Sequence, residues 1–244
     1  MLTITNDTTI GNIVADDYRA AAVFQKHGID FCCGGGQSLA SACDAAGVDC
    51  AALAGELAKL DQVTDIPVPR FKSWDPGFLT DYIEANHHAY VRGAISTILQ
   101  HTRKVAQVHG ERHPEVIEIA RVFEGVAQEM THHMMKEEHI LFPHIRELAA
   151  GTRAGRPMPP SPFGSIQNPI RMMEMEHESA GGATARIRQL SGNYTPPDDA
   201  CATYRVTYQE LQEFERDLHQ HVHLENNILF PKAIELERVT GTTD

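Results

Sequence analysis

Two stretches of this 244-residue chain combine residue types and a spacing that could bind metal. They are His133-Met-Met-Lys-Glu137-Glu-His-Ile140-Leu-Phe-Pro143 and His221-Val-His-Leu-Glu225-Asn-Asn-Ile228-Leu-Phe-Pro231, which lie 88 residues apart and agree at six of eleven positions. On a helix, positions i and i+4 share a face, so each stretch aims an imidazole and a carboxylate the same way. A single His-x-x-x-Glu on a helix is usually a solvated pair. Two copies, each followed by apolar residues seven and eight positions past the histidine, place the pair on the stripe that faces a core. Two buried carboxylates in one core would repel each other, and each would be costly to desolvate. A bound cation removes both penalties.

Further ligands have to come from other helices. His87-His88-Ala-Tyr90 and Glu174-Met-Glu176-His177-Glu178 are the candidates. Ile170, Met173, His177 and Gly181 read as one stripe, which turns His177 inward. Leu79, Ile83, Val91 and Ile95 place the inward face near His87 or His88, with His88 the better fit. The expected set is thus His88, His133, Glu137, His177, His221 and Glu225, with Glu137 and Glu225 the reactive carboxylates. Imidazole and carboxylate together suit Fe, Mn or Zn. Two carboxylates shared by two divalent ions leave room for an oxo or hydroxo bridge and for a small ligand. Ferritin-type bundles use Glu-x-x-His and four glutamates, a different pattern.

The elements that must carry these residues are helical almost throughout. Four long helices are expected over about 76–108, 114–150, 166–190 and 198–239. The first two open near Pro76 and Pro114, and Gly151 ends the second. A loop rich in Gly and Pro, 151–164, admits no helix. The fold expected is all-α: a four-helix bundle over 76–244, a linker at 61–75, and a small helical domain over 1–60. That domain shows two amphipathic segments, Asp16–His27 and Leu39–Leu60, around the turn Asp30-Phe-Cys-Cys-Gly-Gly-Gly36.

Composition narrows the functional classes. A net charge of −12 with no dense Lys/Arg block disfavours a nucleic-acid partner. No apolar run is long enough to cross a bilayer, and the N-terminus lacks a secretory signal pattern. Five cysteines at uneven spacing suit a reducing cytoplasm better than a disulfide framework. Adjacent Cys32 and Cys33 read either as exposed thiols on a flexible turn, able to bind a metal, accept a nitrosyl or exchange electrons, or as a packing motif of small residues. Cys43, Cys50 and Cys201 read as ordinary buried residues. His132, His139, His219 and His223 project off the ligand stripes, His101, His113 and His144 read as solvated, and His27 has no assigned role. His109 lies 21 residues after His88, about 30 Å along a straight helix, and so is left out of the ligand set.

The bundle resembles the hemerythrin-like family, and the whole chain resembles the iron–sulfur cluster repair proteins, also called repair-of-iron-centres proteins. The matching stretches are Phe31-Cys-Cys-Gly-Gly35, the two His-x-x-x-Glu segments, and Met173-Glu-Met-Glu-His177-Glu-Ser-Ala-Gly181. The resemblance supports His88 over His87, implies two non-haem iron ions, and makes the Cys32–Cys33 motif a functional hallmark of the small domain. It implies a cytoplasmic protein that restores iron–sulfur clusters damaged by nitric oxide or oxidants, through iron donation or NO reduction. Partners would be damaged iron–sulfur proteins and NO or O2; apart from the resemblance, the small domain could dock on its own bundle or on a second subunit, which would make a homodimer. Reversible O2 or NO carriage or sensing is the alternative, and it has no need for the cysteine domain. A hydrolytic zinc or manganese enzyme is disfavoured for lack of a basic cluster to hold phosphate.

Overall fold

A computed structural model of the chain describes residues 4–60, 69–156 and 161–241. Most of the expected linker, residues 61–68, and positions 157–160 of the Gly/Pro loop lie outside the described residues. Among the described residues the structure is all-α. Its only extended pairing is an isolated bridge between Thr9 and Ser38, and no helix is long and apolar enough to cross a membrane. The described residues form two compact units. One gathers the chain up to Leu79, Leu148 to Arg156, and Val222 onward; the other comprises Thr80–Glu147 and Ser161 to His221.

The helices from Pro76 onward are divided between the two units. In chain order these are α5 (Pro76–Ile83), α6 (Ala89–His109), α7 (Glu115–Lys136), α8 (Phe142–Arg153), α9 (Gln167–Leu190), α10 (Ala202–Leu224) and α11 (Phe230–Gly241). Helix α7 packs along both α6 and α9. Its inward stripe of Val116, Ile119, Phe123, Val126 and Met130 is buried, and Phe123 meets Phe214 of α10 edge-on at 5.2 Å between ring centroids. Each such side chain contributes about 1.5–3 kcal/mol through burial. Thr102, Thr184 and Thr207 are buried without penalty, because their hydroxyls donate to carbonyls one turn back at 2.7–3.2 Å.

Three of the expected long helices are not regular. Single π turns interrupt them at Glu84–His88, Glu137–Leu141 and Glu225–Leu229. In each, a backbone N–H reaches five residues back: Ala89 to Glu84, Phe142 to Glu137, and Phe230 to Glu225. The last two have a cause in the sequence. Pro143 and Pro231 have no N–H, and their rings would collide with the carbonyl four residues earlier in a regular helix. Widening the preceding turn relieves that collision. The first π turn has no proline after it.

The extra residue per turn rotates everything downstream. Leu141 is buried but Ile140 is half exposed, so the expectation of both on the inward stripe is corrected for this copy. Ile228 and Leu229 are both buried, since the turn they occupy packs against the helix Ile10–Asp16. Along α6 the inward residue is Ile98, not Ile95, and along α9 Ala180 and Thr184 replace Gly181. Gly151 does not end α8, which runs to Arg153.

In the first unit, the expected Asp16–His27 segment is broken at Asp17–Arg19 into α1 (Ile10–Asp16) and α2 (Ala20–Lys26). The turn is pinned by Arg19 donating to the Asp17 carboxylate at 3.0 Å. The Leu39–Leu60 segment is likewise two helices, α3 (Leu39–Ala46) and α4 (Cys50–Lys59). Gly47, at φ +64°, closes the first, a left-handed conformation that favours glycine. Ser38 and Asp49 cap the two helices, accepting from Ser41 N at 3.2 Å and Ala51 N at 2.9 Å.

Candidate metal centre

The six expected ligands converge. Ligand atoms of His88, Glu137, His221 and Glu225 all lie within 4.8 Å of one another, as do those of His133, Glu137, His177 and Glu225. His88, Glu137, His177, His221 and Glu225 have no exposed surface, and His133 has 1%. His221 and Glu225 stand one turn apart, Glu225 opening the π turn that continues α10. Glu137 Oε2 lies 3.3 Å from both His88 Nε2 and His133 Nε2. The Nε2 atoms of His133 and His177 face each other at 3.0 Å.

This geometry fits a cation pair. Four imidazole nitrogens and two carboxylates point at one small volume sealed from water, where two carboxylate charges would otherwise repel. Both glutamates belong to both donor groups, as carboxylates shared between two ions would.

Behind the ligands stands a ring of groups that sequence reasoning missed. His88 Nδ1 meets Glu138 Oε1 at 2.7 Å, and Arg92 donates to the same oxygen at 2.6 Å. His133 Nδ1 meets Glu176 Oε2 at 2.9 Å, and Lys136 closes on the other oxygen. These acids fix each ring with Nδ1 outward and Nε2 inward. Burial pushes the Glu138 carboxyl up, but Arg92 and His88 outweigh it and hold the group low. His133, with Lys136, brings Glu176 down to about 2. The available signal was an acid directly beside a ligand: Glu138 follows Glu137, and Glu176 precedes His177.

The π turn at Glu84–His88 buries both histidines of the His87–His88 pair. His88 is in the donor group, whereas His87 turns Nδ1 to Asp217 at 2.9 Å and stacks on His221 at 5.5 Å. His132 and His139 are exposed. His144 is buried, contrary to expectation, edge-on to Phe163 at 5.4 Å. His101 and His113 are half-buried and paired with Glu210 and Asp199 at 2.7 and 3.0 Å. His27 pairs with Glu56 at 3.1 Å.

In the first unit, Asp30, Cys32 and Cys33 form a smaller group of convergent ligand atoms. Cys32 Sγ lies 3.0 Å from Asp30 Oδ1 and 4.0 Å from Cys33 Sγ. The turn is neither loose nor fully exposed. Backbone N–H groups of Cys32 and Cys33 donate to Asp30 Oδ1 at 2.9 and 3.0 Å, and Cys32 is buried while Cys33 is partly accessible. Asn227 donates to the carbonyls of Phe31 and Cys32 at 3.2 and 3.1 Å. It reaches them only because Gly11 and Gly35 lack side chains: a Cβ at either would lie 2.3 or 2.1 Å from Asn227 Oδ1. The Cys33 hydrogen bond and burial push the Cys32 thiol up.

Fold and ligand geometry together define a hemerythrin-type cation-binding bundle joined to a small cysteine-bearing helical unit. The hemerythrin HHE cation-binding domain model matches residues 81–233, and the ScdA_N model, a domain of unknown function, matches residues 6–61. The chain is 34% identical to an iron–sulfur cluster repair protein YtfE from Citrobacter koseri, over 93% of this chain and 97% of that one. It is 35% identical to the protein of that name from Musicola paradisiaca (93% and 96%). An iron–sulfur cluster repair protein ScdA from Staphylococcus haemolyticus is 32% identical (94% and 99%). The chain belongs to the iron–sulfur cluster repair protein family.

Proposed function

We propose that this chain carries two non-haem iron ions in its bundle and acts in the repair of damaged iron–sulfur clusters. The observation that carries the reading is the pair of overlapping donor groups that share Glu137 and Glu225. His88 and His221 would hold one ion and His133 and His177 the other, with Glu137 and Glu225 available to both. Glu138 and Glu176 orient two of the imidazoles. Bound there, a pair of ferrous ions would supply open positions for a small ligand such as NO or O2 and electrons for its reduction. The names of the relatives support damaged iron–sulfur proteins as clients, and five unevenly spaced cysteines suit the reducing cytoplasm as the place of action.

The domain organisation proposed is a cysteine domain over 1–60, a linker over 61–75 and the bundle over 76–244. Cys33, with Cys32 behind it, is the thiol pair through which the small domain would hold iron or NO in transit or meet a client. That domain favours repair over simple carriage or sensing of a gas, which would need only the bundle.

Metal analysis of anaerobically purified protein tests the reading, wild type beside Glu137→Ala and Glu225→Ala. Two irons per chain, lost or halved in the variants, is the expected result. Zinc or manganese instead, or metal content indifferent to both glutamates, overturns it. NO added to the reduced protein then separates the activities. Nitrous oxide marks reduction, iron released to an apo-cluster protein marks donation, and NO retained unchanged marks carriage or sensing.

A further inference from the structure

At the end of α6 farthest from the ligand histidines, about 30 Å along the helix from His88, sits a group the metal centre does not use. His109 Nε2 lies 3.2 Å from Cys201 Sγ. Cys201 is exposed, not buried as its sequence context suggested. It immediately precedes α10, and its carbonyl accepts from Arg205 N at 3.1 Å, so its sulfur stands at the N-terminus of a 23-residue helix. That end of a helix favours negative charge.

The imidazole is held in place from several sides. The backbone N–H groups of Arg112 and His113 fold back onto the His109 carbonyl at 3.0 and 2.8 Å. The ring of fully buried Tyr204 lies 5.1 Å from the His109 ring. The nearby acids are occupied elsewhere: His113 takes Asp199 at 3.0 Å and Glu115 at 3.3 Å. The ring nitrogen is thus aimed at the thiol and not at a carboxylate.

We propose that Cys201 and His109 form a nucleophile–base pair, and that Cys201 is the chain's site of reversible mixed-disulfide formation with a low-molecular-weight disulfide. His109 Nε2 takes the thiol proton as the Cys201 sulfur attacks one sulfur of RS–SR. The S–S bond breaks, a Cys201–S–SR bond forms, and the departing RS− takes up the proton from His109. The small disulfide is the only oxidant required. Two other cysteines are poor competitors. Cys32 is buried, and burial, with Cys50 beside it, pushes the Cys43 thiol up to about 12.

The test uses the full metal-loaded chain, reduced and then exposed to oxidised glutathione at neutral pH, with the modified cysteine mapped by mass spectrometry over time. Cys201 is expected to react first. His109→Asn is expected to slow that reaction by about tenfold or more, while Cys33 reacts at its wild-type rate and so reports an intact fold. Equal reaction at Cys33, Cys50 and Cys201 in the wild type overturns the proposal without reliance on any variant. So does a Cys201 rate indifferent to His109→Asn.

Discussion

Glu176 Oε2 lies 2.9 Å from Nδ1 of His133, on the far side of the ring from the Nε2 that faces His177. One carboxylate outside the ligand set thus decides which nitrogen of His133 points into the centre. Lys136 holds that carboxylate in turn.

Glu176→Gln should therefore weaken metal binding without removing a ligand. A loss of about 10- to 100-fold in affinity is expected, read by competition with a chelator. Glu138→Gln should do the same through His88. Unchanged affinity in both would mean that the imidazoles are oriented by packing alone.

Removing the metal should destabilise the bundle, because the ligands converge only in the folded chain. At a free metal concentration 100 times the dissociation constant, the holo form gains about 2.7 kcal/mol. Thermal unfolding with and without chelator gives the difference. Identical melting temperatures would count against a resident ion.

Pro143→Ala restores a backbone donor and removes the clash that favours the π turn at Glu137–Leu141. Relaxation toward a regular helix would rotate Glu137 relative to the residues that follow it. Lower metal occupancy is expected, with helicity unchanged or higher by circular dichroism. Full occupancy would show that packing, not the proline, maintains the turn.

Gly35→Ala places a Cβ 2.1 Å from Asn227 Oδ1 and 2.8 Å from the Phe31 carbonyl. Neither neighbour can yield without breaking the hydrogen bonds to the Cys32 turn. A loss of about 1–3 kcal/mol is expected, along with faster labelling of Cys32 by a maleimide. Gly36→Ala, which meets nothing within 4 Å, is the control.

His223 supplies a pH dependence. Its ring is fully buried against Tyr18 and Phe31 at 5.8 and 5.7 Å, and burial pushes it down to about 3. In the unfolded chain it titrates near 6.5. Between those values the unfolded state binds a proton that the folded state refuses, so stability falls as pH drops from about 6.5 toward 3. The slope from this group is at most about 1.4 kcal/mol per pH unit. Urea midpoints across that window should fall less steeply for His223→Phe, and acid effects common to both proteins cancel in the comparison.

The sequence by itself determined the helical class, the six residues that converge as candidate ligands, with His88 preferred over His87 through the family resemblance, and the place of the cysteine turn before the bundle. Those follow from local rules: i and i+4 share a helix face, and a doubled His-x-x-x-Glu beside an apolar stripe has little reason to exist without a buried cation. Pro143 and Pro231 also announced that two helices could not be regular, although the apolar pattern alone extends straight through them. Only the tertiary structure decided which imidazoles pair, that Glu138 and Glu176 orient two of them, and that Asn227 slots between Gly11 and Gly35 to hold the Cys32 carbonyl. Each of those contacts joins residues dozens to more than two hundred positions apart. The Cys201–His109 contact is of the same kind, 92 residues apart in sequence. Periodicity describes one helix at a time; which faces meet, and at what height, is set by how the helices pack.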